Sequence, residues 1–72
     1  MSFATYLKNI EEKTGVSPSQ FETLAQQKGF AENGNIKKGI KATQVINWLK
    51  DEYGLGHGHA QAMYAYINGK RS

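Results

Sequence analysis

Three times in this chain a glycine followed by an apolar residue closes a stretch of helical periodicity: Gly15-Val16, Gly29-Phe30 and Gly54-Leu55. Glycine takes the left-handed conformation past a helix end without a Cβ penalty, and the apolar residue behind it folds back on the last turn. Gly69 follows the last apolar position of the chain in the same way. The pattern divides 72 residues into short helices with little chain between most of them. It predicts one compact all-α domain over 1–72, four helices with antiparallel neighbours wherever the loops are short.

The apolar stripes and start signals agree. Ser2 can cap a first helix whose Phe3, Tyr6, Leu7 and Ile10 recur at the spacing of successive turns. The second helix has the fullest start: Ser17 as cap, Pro18 at the first helical position, Gln20 to complete a capping box, and Val16 stapled to Phe21. Its inner face is Phe21, Leu24 and Ala25. From Ala31 to Lys41 the periodicity breaks; Asn33-Gly34 reads as a turn, with Ile36 and Ile40 as apolar pins that hold a long loop down. The third helix, 42–53, turns Val45, Trp48, Leu49 and Tyr53 inward, and the last offers Ala60, Met63, Tyr64 and Ile67.

A domain of this size buries only about 60% of its unfolded surface, so each of these local signals carries weight. With no cysteine the chain has neither disulfide framework nor thiolate metal site. No apolar run approaches the roughly 18 residues of a membrane span, and the first residues lack a signal peptide's charged start and apolar stretch. The reading is a soluble, cytoplasmic protein with no membrane partner. Nine Lys and Arg stand against six Asp and Glu, a net charge of +3. The basic residues cluster at Lys37, Lys38 and Lys41 and again at Lys70 and Arg71, neither group long enough for a polybasic arm. Solvated surface charge accounts for both; attraction to an anionic partner is the other reading.

The stretch Gly54, Leu55, Gly56, His57, Gly58, His59, Ala60 places three glycines and two histidines between the last two helices. It fits the glycine, apolar, glycine, spacer, alanine pattern of a helix-hairpin-helix turn. Such a turn can aim unpaired peptide N–H groups at one phosphate, since the first residues of a helix lack intrahelical acceptors and carry the positive end of its dipole. Glycines let a sugar-phosphate chain approach, and contacts of this kind position nucleic acid without reading its bases. The candidate nucleic-acid-binding residues are therefore Gly54, Gly56, His57, Gly58 and His59, with charge from Lys41, Lys50 and the basic tail. Against this, the spacer lacks the proline or lysine common in that motif. The same residues also serve a tight helix connection with Ala60 small at a crossing.

Taken together, Lys13-Thr14-Gly15, Pro18, Phe21, Trp48-Leu49-Lys50 and the Gly-Leu-Gly-His-Gly-His-Ala segment resemble a bacterial family of small helical domains of unknown function, over nearly the whole chain. The resemblance implies a helical module, free-standing or N-terminal to another domain, and brings no activity, substrate or cofactor.

Other chemistry is thinly provided. His57 and His59 are two imidazoles without the further ligands a metal site needs, and divergent at a helix start, so neither metal nor cofactor is expected. One ring is expected to cap the last helix or to stack on Trp48 or Tyr53. A histidine base beside Asp51, Glu52 or Tyr53 has no nucleophile to serve, since Ser2 and Ser17 are committed as caps; the chain reads as a non-enzyme. Tyr66 lies off the inner stripe. With Tyr6 or Tyr53 exposed beside it, it would form a patch for a protein partner or a second copy, and His57 and His59 could join that patch. Two functions follow: weak, sequence-nonspecific phosphate binding at the turn, or protein interaction and homodimerisation through histidines and exposed tyrosines.

Overall fold

The computed structural model describes residues 2–72. Its elements in order are α1 (Phe3–Thr14), α2 (Pro18–Gln27), β1 (Ala31–Glu32), β2 (Asn35–Ile36), α3 (Ala42–Tyr53) and α4 (His57–Ile67). The starts of α1 and α2 use the residues the sequence offers. Ser2 Oγ accepts from the Thr5 amide at 3.2 Å. Ser17 Oγ accepts from the Gln20 amide at 3.2 Å, while Gln20 Oε1 accepts from the Ser17 amide at 2.8 Å. The second helix closes in a Schellman arrangement, Phe30 N–H donating to Ala25 O and Gly29 N–H to Gln26 O.

α4 is the central element and packs on α1, α2 and α3. Ile10 from α1, Phe21 and Ala25 from α2, Val45, Trp48 and Leu49 from α3, and Ala60, Met63 and Ile67 from α4 meet in one core, joined by Ala31 and Leu55. Because α4 has neighbours on three sides, its buried face is wider than one stripe and takes in Ala62 as well. Two contacts set α1 antiparallel to α4: the Lys70 ammonium lies 5.0 Å from the Phe3 ring centroid at one end, and Lys13 reaches Gly54 at the other.

The expectation of a purely helical chain needs one correction. Residues 31–36 form a minimal antiparallel hairpin, Ala31 opposite Ile36 and Glu32 opposite Asn35. Asn33 and Gly34 at its tip both have positive φ, 54° and 80°, as a type I′ turn requires. Asn-Gly carried that signal, yet two-residue strands are too short to show alternation. The hairpin is held from outside: Asn68 at the end of α4 accepts from the Ile36 amide at 2.9 Å through Oδ1 and from Asn35 Nδ2 at 2.8 Å through its carbonyl. Ile36 and Ile40 pack on the core as pins.

Candidate functional site

α3 ends at Tyr53 because Gly54 turns left-handed, φ 66°, with its N–H on Lys50 O at 3.0 Å. Leu55, only 4% exposed, is then driven into the core and fixes where the chain re-emerges. Gly56 is extended and caps α4 with its backbone alone, its carbonyl accepting from the Ala60 amide at 2.9 Å. Gly54, Gly56, His57 and Gly58 are exposed, and His59 is half-buried. Among the described residues neither a carbonyl nor a capping side chain accepts from the N–H groups of His57, Gly58 and His59. The contrast with α1 and α2, each closed by a serine hydroxyl, lies in one residue type: glycine at the cap brings no oxygen.

The two histidines part company. His59 packs edge-to-face on Tyr6 of α1, centroids 4.8 Å apart, and not on Trp48 or Tyr53 as expected; those rings are engaged with each other and with Phe21 and Phe30. Tyr6 also lies beside Gly58, its hydroxyl 3.5 Å from where a Cβ would stand. His57 faces solvent. Lys13 Nζ donates to Gly54 O at 2.7 Å and places a cation beside the turn. Asn9, Glu12, Lys13 and His59 line an open groove of about 400 Å³ next to it. Sequence reasoning missed Lys13, since its partner lies 41 residues away and nothing local signals the reach.

The cations expected around the turn are only partly gathered there. Lys50 is exposed in the last turn of α3, one helical turn before Gly54, whose N–H its carbonyl accepts. Lys41 is farther off: it is the N-cap of α3, and a helix of that length separates it from Gly54 by roughly 20 Å. The basic tail lies at the far end of α4. Arg71 is spent there, on Tyr66 O at 2.7 Å and Glu22 at 3.1 Å, with its guanidinium 3.9 Å from the centroid of the Tyr66 ring. Of the candidate residues the turn therefore brings together Gly54, Gly56, His57, Gly58 and His59, with Lys50 one helical turn before it and Lys13 bonded to it, while Lys41 lies apart.

The tyrosine patch is also corrected. Tyr6, Tyr53, Tyr64 and Tyr66 are all half-buried, and Tyr66 lies beneath Arg71. Glu52 has its carboxylate on the Trp48 indole N–H at 3.0 Å and on Lys28 at 3.2 Å, which removes it as a partner for either histidine. Among the described residues no three His, Cys, Asp or Glu side chains gather as a metal would need, and no helix is long and apolar enough to cross a membrane.

The family model described as a domain of unknown function (DUF4287) matches residues 2–69. No curated protein and no solved structure matches the chain.

Proposed function

Because the chain belongs to the DUF4287 family, whose description assigns no activity, we propose its function from geometry: a non-enzymatic module that binds nucleic-acid phosphate weakly and without sequence preference through the α3–α4 turn. The observation that supports the reading is the set of N–H groups at His57, Gly58 and His59, for which no carbonyl or capping side chain among the described residues is an acceptor, behind a cap with no side chain. Three donors at the positive end of α4 suit an oxyanion. Gly54, Gly56 and Gly58 present no side chain that would hold a phosphate chain off, in keeping with a helix-hairpin-helix turn. Lys13 and Lys50 supply the local charge. A cytoplasmic, bacterial setting belongs to the same proposal.

The test is an amide-shift titration with duplex DNA at low and high salt, run beside the variant Gly56→Asp. An aspartate at the cap would place its own carboxylate on the open amides, so it competes with phosphate while leaving the fold sound. The expected result is shifts centred on Gly56 to His59 that fade with salt and vanish in the variant. Unmoved turn amides in the wild type, or equal binding by the variant, would overturn it. A mass that rises with concentration without nucleic acid would favour self-association instead.

A further inference from the structure

The domain's net positive charge arises in one segment, bounded by Glu32 on one side and Asp51 and Glu52 on the other. Residues 33–50 hold four lysines, Lys37, Lys38, Lys41 and Lys50, and no acid; the rest of the chain holds five basic residues against six acidic ones, a balance of −1. All four lysines are exposed, and none meets a carboxylate among the described residues.

The segment is firmly shaped. Lys37 N–H donates to Phe30 O at 2.8 Å, and Ile40 N–H closes a tight turn on Lys37 O at 3.0 Å, with Gly39 at φ 93°. Ile36 and Ile40 pin the turn to the core on either side of Lys37 and Lys38, with Lys41 next in the chain. Beyond it, the outer side of α3 carries Thr43 and Asn47, four residues apart and both exposed, before Lys50 and Asp51 at the far end of the helix. Thr43 and Asn47 offer neutral hydrogen-bond donors and acceptors beside the lysine turn, groups that can lie against phosphates and groove edges.

We propose that the Lys37–Lys41 turn, with the exposed Thr43 and Asn47 that follow it on α3, is a docking surface for a nucleic-acid duplex. It rests on the nucleic-acid reading above but not on the open amides of the α3–α4 turn, from which Lys41 is a helix length removed. A duplex is favoured over a single strand because single-strand sites rely on exposed aromatic rings as stacking platforms. Among the described residues every aromatic is buried or half-buried.

The experiment measures affinity for one blunt DNA duplex across a salt series, using the wild type, Gly56→Asp, and the triple variant Lys37→Ala/Lys38→Ala/Lys41→Ala. The three lysines are exposed, so the variant should fold as the wild type does, checked by circular dichroism. Loss of about tenfold or more in affinity at low salt, with the salt slope shallower by about 3, is the expected result. If Gly56→Asp then binds as the wild type, the surface stands and the turn reading falls. If the triple variant binds normally while Gly56→Asp fails, the surface is overturned and the turn reading stands. Equal affinity for the single strand, or association with anionic lipid vesicles in place of the duplex, would also overturn it.

Discussion

Lys13 donates from Nζ to the carbonyl of Gly54 at 2.7 Å, tying the end of α1 to the end of α3 across 41 residues of sequence. The carbonyl lies at the negative end of α3, where a cation is favoured, and it is one that the helix leaves without an intrahelical partner. Both ends of the bond are exposed, so its contribution is modest. Lys13→Met, which keeps the aliphatic stem and removes the charge, should lower stability by about 0.5–1 kcal/mol. Urea unfolding checks this: a midpoint equal to that of the wild type would mean the bond adds nothing in solution.

Alanine substitutions at Gly54 and Gly58 should have opposite signs although the positions are four residues apart. Gly54 has φ 66°, a conformation that costs an L-residue about 1 kcal/mol or more. Gly58 is helical, and its added Cβ would meet the Tyr6 hydroxyl at an ordinary 3.5 Å. Gly54→Ala should therefore destabilise, whereas Gly58→Ala should stabilise by a few tenths to about 1 kcal/mol. Thermal melts of both variants decide it; destabilisation by Gly58→Ala would show that the Tyr6 contact is tighter than it looks.

How much of this could be read from the residues depends on whether a signal is local. Ser17, Pro18 and Gln20 act within one turn of chain, and the structure places them as their types dictate. Gly29-Phe30 likewise closes α2 by itself. The partner of His59 was another matter: whether it meets Trp48, Tyr53 or Tyr6 depends on which helix crosses α4 at that height, and no spacing encodes that. Arg71 misled for the same reason. A terminal arginine reads as a free cation, and only the approach of Glu22 and Tyr66 in space makes it a clasp. Glycine at the cap of α4 is visible in the sequence, and with it the lack of a capping side-chain oxygen. That no other carbonyl reaches the amides of His57 to His59 among the described residues had to be seen in the fold.

Gly69 is constrained twice. Its φ is 108°, and a Cβ there would stand 3.0 Å from Asn35 Nδ2 and 3.5 Å from Gly34 O. Asn35 is the residue that donates to the Asn68 carbonyl, so any side chain at 69 pushes on the strap between hairpin and α4. Gly69→Ala should cost about 1–2 kcal/mol and speed amide exchange at Ile36, whose N–H is held by Asn68 Oδ1. Hydrogen exchange separates the two effects: global loss with Ile36 unchanged relative to the core would put the whole cost in the backbone of residue 69.

Leu55 is the anchor on which the proposed site depends, because it is buried at 4% exposure between two exposed glycines. Without it nothing apolar would hold the α3–α4 connection against the core, and the amides of His57 to His59 would lose their fixed direction. Truncation to alanine removes about 2–4 kcal/mol of burial and packing, comparable to the whole stability of a domain this small. Leu55→Ala is thus expected to be largely unfolded at room temperature. Leu55→Met, which conserves volume, should cost less than about 1.5 kcal/mol and keep the turn's amide shifts near those of the wild type. If Leu55→Ala instead retains most of its stability while the shifts at Gly56 and His57 collapse, the turn is a locally independent unit and the core needs no contribution from it. Chemical denaturation with amide spectra for both variants distinguishes the two outcomes, because a cooperative core loses dispersion everywhere at once and a frayed turn loses it only between the helices.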